Sequence, residues 1–461
     1  MFPNLRAQVP VPFGFRLGLV PIAAALLLAA TPALAGGLAL ARDMRLVAHH
    51  GLHGRGAYQP VIHEQNGRFI AYIGHHAGNA VNSLTGAPEP NGTSLIDVTV
   101  PASPKLLHHI PGEPGAGAQM VRVCSGRDLP RADRGKVYLL RTYGHSAHEV
   151  WDVTLPGKPA RVSVVADGLG GTHKNWWECE TGVAYLVSGV PGWRTSRMTQ
   201  VFDLGNPEKP VFIRTFGLPG QEPGAVGPVP TGLHGPISTG LAGNRVYFGH
   251  GTSSGGILQI VDRHRLLKGP RAPTRSNLLH PQVGRFDLDP NYGAHTVFPV
   301  PGMYIPGPGG RKGRRDFVVV TNEALADGCA ARRQKVWMID VTDEAKPAVA
   351  STWALDDRRG NFCARPGRVG AHSSHESFTS VYYRRIMFIA HFNAGVRALD
   401  IRDPYRLREI AYYVPDASGR ALATNNVEVD ERGYIYIVDR GSLGMHILQL
   451  TGEAKRVADF R

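Results

Sequence analysis

Histidines recur at two positions of a repeating pattern in this sequence. Histidine accounts for 20 of the 461 residues, and imidazole is the commonest neutral nitrogen ligand of metals in proteins. One position is the start of an apolar segment, and it carries His173, His234, His295, His372 and His375. The other is the end of the apolar segment that follows, and it carries His76, His250 and His391.

Imidazoles that converge from several segments suit a transition metal rather than calcium or magnesium. Copper or iron is favoured, with zinc as a third candidate. Glutamates that could orient such ligands stand nearby in the repeat, at Glu178, Glu323, Glu376 and Glu428. Of these, Glu376 and Glu178 are the candidates for orienting water or moving a proton. The alternative is that the histidines bond to backbone groups and close a channel without any metal.

A repeat of seven copies sets the positions of these residues. Each copy has an apolar segment that ends in aspartate and is followed by a turn that contains proline, as in residues 94–104 and 149–159. The first six copies end at Asp97, Asp152, Asp203, Asp262, Asp340 and Asp400, and the seventh has Gln449 instead. Proline cannot donate to a strand ladder, so these turns mark strand ends.

A second apolar run precedes each aspartate segment, for example Phe69–Ile73 and Tyr434–Val438. Such runs are rich in β-branched and aromatic residues, as buried strands are. Four short strands, A to D, in each of seven copies predict an all-β fold, a seven-bladed β-propeller over residues 36–461. The insertion at residues 301–315 is predicted to be a loop. Because strands A and B are antiparallel, the histidines at both positions are expected at one axial mouth.

The aspartate units LIDVT (residues 95–99) and VWDVT (residues 150–154) resemble those of the LVIVD-repeat family of secreted bacterial β-propellers. The resemblance covers most of the predicted propeller, and it implies the propeller fold without implying an activity. The arrangement is more distantly similar to the propellers of selenium-binding proteins and methanethiol oxidases. That similarity implies a bound metal.

Four cysteines are present, and an even number in an exported chain indicates disulfides. Neighbourhood in the sequence favours Cys124–Cys179 and Cys329–Cys363. Two other connectivities and four free thiols remain as alternatives.

The first 35 residues read as a signal peptide. Arg6 and Arg16 precede or flank an apolar run at residues 17–30, and Ala33–Ala35 forms a small-residue cleavage site. A retained anchor is the alternative. Export predicts a periplasmic or secreted protein with no membrane segment after cleavage.

The net charge of +14 is spread along the chain and is not interleaved with aromatic residues. This pattern argues against nucleic acid as a partner. We expect a monomer that binds a small molecule or peptide at its top face. The sequence predicts a metal-dependent oxidoreductase with a histidine-rich axial site. The alternative is a propeller scaffold of the cell envelope that binds a ligand or protein without catalysis, because a fold does not fix a function.

Overall fold

The chain forms a ring of seven antiparallel sheets. The computed structural model describes residues 40–306, 312–329, 332–356 and 360–458. The predicted signal peptide therefore lies outside the described residues. Every blade has strands A to D in spatial order, and the A strands of successive blades contact one another around the axis. The predicted seven-bladed β-propeller is confirmed.

The first five blades follow one another along the chain. Blade 1 consists of Ala57–Gln65, Arg68–His75, Thr93–Asp97 and Lys105–Ile110. Blade 2 consists of Val121–Ser125, Val137–Tyr143, Ala147–Asp152 and Ala160–Ala166. Blade 3 consists of Asn175–Trp177, Val183–Ser188, Met198–Asp203 and Val211–Phe216. Blade 4 consists of Leu233–Ser238, Arg245–His250, Ile257–Asp262 and Gln282–Asp287. Blade 5 consists of Thr296–Pro306, Lys312–Thr321, Val336–Asp340 and Ala348–Trp353.

The last two blades draw strands from both ends of the described chain. Blade 6 consists of Ser373–Ser374, Ile386–Ala390, Val396–Asp400 and Arg408–Val414, with Leu40–Arg42 added at its outer edge. Strands A to C of blade 7 are Thr424–Val429, Tyr434–Asp439 and Met445–Leu450. Strand D of blade 7 is Met44–His50, which pairs antiparallel with Met445–Leu450. Pairing between the two ends closes the ring and covers the outer edge of strand C of blade 7.

Helical segments are few and short in the part of the chain that the structure describes. The α-helices are Gly240–Gly243, Arg263–Lys268, Arg275–Leu279 and Gly452–Ala458, and the 3₁₀-helices are Leu52–Gly54 and Phe362–Ala364. A small hairpin of Asn79–Val81 and Pro88–Pro90 projects between strands B and C of blade 1. None of the helices in the described ranges has the length and hydropathy of a bilayer-spanning segment.

The repeated aspartate forms a turn at the end of strand C. In blade 1 the Asp97 carboxylate accepts the Thr99 N–H at 2.9 Å, and the Thr99 hydroxyl accepts the Phe69 N–H at 3.0 Å. Val98 between them is fully buried. The motif therefore ties the end of strand C to the start of strand B. The same bond from the carboxylate to the amide two residues on occurs at Asp152, Asp203, Asp340 and Asp400.

The hydrophobic core lies between the blades. In strand B of blade 3, Tyr185 and Val187 pack toward blade 4, whereas Ala184 and Leu186 pack toward blade 2. Because successive side chains point to opposite faces of a strand, both faces are covered. Burial on both faces explains why these strands read as continuous apolar runs rather than alternating ones.

The insertion in blade 5 is a hairpin extension, so the prediction of a loop at residues 301–315 is wrong. Met303 pairs with Arg315 and Tyr304 with Arg314, which lengthens strands A and B beyond the blade. The Arg314 guanidinium lies 4.7 Å from the Tyr304 ring centroid. Such cross-strand contacts stabilise a ladder that the glycine and proline content alone argued against.

Both predicted disulfide pairings are confirmed. Cys124 in strand A of blade 2 is bonded to Cys179, which follows strand A of blade 3. Cys329 is bonded to Cys363, and this bond joins the loop after strand B of blade 5 to the segment that leads into blade 6.

Candidate functional site

Four histidines from four consecutive blades lie side by side at one mouth of the axis. Ring centroids are 4.6 Å apart for His173 and His234, 3.7 Å for His234 and His295, and 4.3 Å for His295 and His372. All four side chains are buried. Each stands at or just before the start of its strand A, so the ring of A strands carries the four imidazoles to one place. We call these four residues the histidine row.

Hydrogen bonds at Nδ1 orient the imidazoles of the row. His234 Nδ1 lies 2.9 Å from the His295 carbonyl oxygen, and His372 Nδ1 contacts the Asn425 carbonyl oxygen. A carbonyl oxygen can only accept, so Nδ1 carries the hydrogen in both rings and Nε2 keeps its lone pair. His295 Nδ1 pairs with the Thr296 hydroxyl at 2.9 Å, and His295 Nε2 is buried without a hydrogen-bond partner. This pattern is typical of metal-binding histidines.

Glu323 brings a carboxylate to the row. It follows strand B of blade 5, and its two oxygens lie 3.8 Å from His295 Nε2 and 3.7 Å from His372 Nε2. One ligand atom each from His234, His295 and Glu323 lies within 4.8 Å of the other two. Two imidazoles and a carboxylate in this arrangement could hold a metal ion.

Burial controls the charge of these groups. It holds the pKa of His234, His295 and His372 well below the usual histidine value, so the rings are neutral at pH 7. Burial also raises the pKa of Glu323 to about 7, against the opposing charges of Arg368, Arg440 and Arg197. Neutral imidazoles are the form that binds metals.

Tyr58 connects the row to a further histidine. His173 Nε2 lies 2.9 Å from His234 Nε2 and 3.2 Å from the Tyr58 hydroxyl. Because the hydrogen of His234 is on Nδ1, His173 Nε2 is the donor in the first contact, and a metal on His234 Nε2 would replace this hydrogen bond. The Tyr58 ring meets His76 edge-on at 5.2 Å, which places His76 at the same mouth. Burial raises the pKa of Tyr58, so it is a neutral phenol.

A buried ion-pair cluster lies deeper along the axis and consists of Arg122, Lys174 and Glu376. Glu376 forms ion pairs with both cations. Burial alone would raise the pKa of Glu376, but the charges of Lys174 and Arg122 lower it below its usual value. Gly235 makes room for the lysine, since a Cβ there would lie 2.6 Å from Lys174 Cδ. Glu376 is thus the counterion of two buried cations.

Glu428 lies beside this cluster. Its carboxylate accepts the N–H of Val429 at 2.9 Å and that of Glu376 at 3.3 Å. Burial raises the pKa of Glu428 to about 8. Glu376 and Glu428 follow the mouth residues of their strands by several positions, and each residue of a strand advances the chain by about 3.3 Å. Neither carboxylate therefore stands at the level of the histidine row.

His375 does not join the row. Its ring packs 5.4 Å from that of Phe298 and 5.8 Å from that of Phe388, and its Nδ1 accepts the Phe388 N–H at 3.2 Å. It stands three residues after His372, and side chains alternate between the two faces of a strand. His375 therefore points into the blade core.

His250 and His391 also lie away from the row. His250 pairs with Leu233 across the ladder and shares the blade-core face of that residue, where its Nε2 contacts the Gln259 side chain at 3.3 Å. His391 follows strand B of blade 6 and lies 6.1 Å from the Trp353 ring. Strands A and B do meet at one face as expected, but the direction of each side chain decides whether it reaches the axis.

Glu178 lies at the opposite end of blade 3. Its carboxylate pairs with Arg263 at 2.6 Å and accepts the Tyr185 hydroxyl at 2.9 Å. It is five residues beyond His173 along an extended strand, or about 16 Å. The structure therefore places it in an ion pair between blades 3 and 4, and not at the candidate site.

Sequence reasoning missed four residues of the mouth and a buried lysine deeper along the axis, namely Tyr58, Arg197, Arg368 and Arg440, and Lys174. Lys174 directly follows His173, and Arg440 directly follows strand B of blade 7, where other blades carry histidine. Both positions could have been found from the repeat. Arg197 and Arg368 lie in segments of irregular length, so the repeat gave no signal for them.

No protein-family model matches this chain, and no curated protein sequence matches it. Among solved structures it is similar to Raptor from Chaetomium thermophilum, with a TM-score of 0.51 and 11% identity over 88% of this chain. The match spans 29% of the Raptor chain, and it concerns the fold alone. Sqt1 from Chaetomium thermophilum has a TM-score of 0.46 and 10% identity over 86% of this chain and 81% of its own.

Proposed function

We propose that the axial mouth binds one transition-metal ion through His234, His295 and Glu323, with His372 Nε2 beside them. The observation that carries this proposal is the buried group of three ligand atoms within 4.8 Å of one another. The unpartnered Nε2 of His295 supports it, because a buried polar atom without a partner is costly unless something binds it. The donor set matches zinc and non-haem iron sites.

The proposed activity is that of a metal-dependent oxidoreductase with iron favoured. Two imidazoles and one carboxylate leave coordination positions open for a substrate, and such a metal supplies redox or Lewis-acid chemistry. Tyr58 holds its phenolic proton beside His173. Copper is less favoured than the sequence suggested, because a carboxylate replaces one of the expected imidazoles. Two disulfides fit an exported protein, as the LVIVD resemblance implies.

The experiment is metal analysis of the mature protein, purified without a histidine tag. We expect about one metal ion per chain, and a loss of at least about tenfold in His295→Ala and Glu323→Gln. His250→Gln is the matched control, because His250 is equally buried but lies in the blade core. Circular dichroism verifies that each variant is folded.

A metal-free protein that takes up neither iron, zinc nor copper would contradict the proposal. That result would favour the non-catalytic propeller scaffold. One observation supports this second candidate, since the contacts of His173 with His234 and Tyr58 already form a hydrogen-bonded plug without metal.

A further inference from the structure

Three arginines approach the histidine row from different blades. Arg368 lies closest to the row, with its Nη1 3.4 Å from a Glu323 oxygen. Its guanidinium also lies 5.4 Å from the ring centroid of Phe392, and that ring is 4.9 Å from His372. Arg368 is thus fixed beside two residues of the candidate metal site.

Arg197 and Arg440 are placed by backbone contacts at the same mouth. The Arg197 carbonyl accepts the N–H of Leu233, the residue before His234, at 3.0 Å. The Arg440 amide donates to Ala423 at 2.9 Å, and its carbonyl abuts Gly56, two residues before Tyr58. Both positions lie within one or two residues of the strand ends that form the site.

The mouth carries an excess of positive charge. Arg197, Arg368 and Arg440 all stand at this mouth, and Arg368 pairs with Glu323. The imidazoles are neutral, and Lys174 is paired with Glu376 deeper in the axis. The mouth thus holds three arginines, and of these Arg368 is paired with a carboxylate. A divalent metal at His234 would add to this excess, so an anion is needed to balance it.

The guanidinium groups of two of these arginines have donors to spare. In the part of the chain that the structure describes, no hydrogen bond or ion pair engages the guanidinium group of Arg197 or of Arg440, and the two bonds between Arg197 and the Thr195 hydroxyl involve the Arg197 backbone. Exposure increases outward, from buried His295 and Glu323 to Arg368 at 26% and then to exposed Arg440. The spare donors thus lie between the metal ligands and solvent, along the direction of entry.

We propose that the site takes a small anion, with a carboxylate or tetrahedral oxoanion group held by Arg197, Arg368 and Arg440. The planar guanidinium matches such groups with paired hydrogen bonds. This inference rests on the proposed function, because it assigns a ligand class to the same mouth. It also predicts that a metal ion at the histidine row strengthens anion binding, because the charge of the metal adds to that of the arginines.

The test is isothermal titration calorimetry on the mature protein, metal-free and metal-loaded, at constant ionic strength. Inorganic phosphate and succinate are the two anionic probes, and uncharged succinamide is the matched neutral compound. We expect binding of at least one anion and none of succinamide. Phosphate alone would indicate an oxoanion ligand, and succinate alone a carboxylate.

Arg197→Gln and Arg440→Gln should each weaken anion binding by about tenfold or more, the effect of losing one charged hydrogen bond. Arg285→Gln is the control, because Arg285 pairs with Asp287 on the outer strand of blade 4. Unchanged affinity in both folded variants, or equal binding of succinamide, would overturn the inference.

Metal content measured on the same samples separates the two proposals. A protein that binds metal but neither anion refutes this inference and leaves the proposed function standing. A protein that binds anions through Arg197 and Arg440 but takes up no metal refutes the proposed function and supports the anion site.

Discussion

Replacing Glu376 with glutamine tests whether this glutamate is a counterion or a catalytic group. The variant keeps the size of the side chain but leaves Lys174 and Arg122 without a negative partner. The exposed fractions of the three side chains are 2% for Glu376, 3% for Lys174 and 11% for Arg122, so water cannot replace the lost charge. We therefore expect Lys174 to release its proton in the folded variant.

The loss of stability in this variant follows from the proton that Lys174 releases. Holding a lysine neutral costs about 1.4 kcal/mol for each unit between pH 7 and its usual pKa near 10.4, or about 5 kcal/mol in all. Arg122 keeps its contact with the Trp176 ring at 4.6 Å, and this contact limits the destabilisation that comes from its own unpaired charge. We expect the free energy of unfolding to fall by about 3–5 kcal/mol at pH 7, the range for breaking a buried ion pair.

The stability of the Glu376→Gln variant should also depend on pH, and the direction of this dependence can be derived. In the variant the unfolded chain binds a proton at Lys174 and the folded chain does not, so stability rises with pH. The rise is up to about 1.4 kcal/mol per pH unit between pH 7 and the unfolded pKa near 10.4. Urea denaturation at pH 7 and pH 9 measures it.

Lys174→Met combined with Glu376→Gln is the matched variant, because it removes the lysine charge together with its partner. It should be more stable than Glu376→Gln alone and should lose the added pH dependence. If Glu376→Gln stays within about 1 kcal/mol of the wild type at pH 7 with an unchanged pH slope, the counterion assignment is refuted. Such a result would restore the catalytic role that the sequence suggested for Glu376.

Three further predictions concern the scaffold. Replacing Cys124 and Cys179 with serine opens a loop of 55 residues. We expect the free energy of unfolding, measured by chemical denaturation, to fall by about 4 kcal/mol. Equal stability of the oxidised protein and the variant would contradict this. Burial lowers the pKa of His250 to about 3, so unfolding at pH 5 takes up a proton there, and stability falls as the pH drops below the unfolded value near 6.5. His250→Gln should reduce that uptake by about one proton in denaturation curves measured across pH, and an unchanged pH slope would disprove a neutral His250. Asp203→Ala removes the hydrogen bond to the Gly205 N–H and the exposed ion pair with Arg131. We expect it to lower the free energy of unfolding by about 1 kcal/mol, measured by thermal denaturation. Asp203→Asn keeps an acceptor for the Gly205 N–H and should lower it less.

Much of the architecture could be predicted from the sequence because the local rules agree with the fold. Each B strand is buried on both faces, so apolar runs such as Val183–Ser188 are unmistakable. Strand C ends in an aspartate in six of the seven blades, and in five of these the carboxylate accepts the amide two residues on, so the repeat could be counted. The disulfide pairs followed from neighbourhood, since the bonded cysteines belong to adjacent segments of the ring.

The closure of the ring could not be predicted in the same way. Met44–His50 completes blade 7 by pairing with residues about 400 positions later, and its local sequence carries no copy of the motif. The hairpin at residues 301–315 was likewise hidden, because cross-strand contacts outweigh the turn-forming composition. Pairing between the two ends of the described chain decides the closure, and pairing between neighbouring strands decides the hairpin.

For the site, the sequence determined the end of each strand at which a histidine stands, and only the tertiary structure decided where its side chain points. His234 and His250 stand at the same mouth, yet one faces the axis and the other the blade core. A shift of one residue reverses the face, and local bulges set that register. Glu323 was a candidate from its place in the repeat, but Arg368 reaches it from a segment without repeat signal, so the charge balance of the mouth emerges only when the ring closes around it.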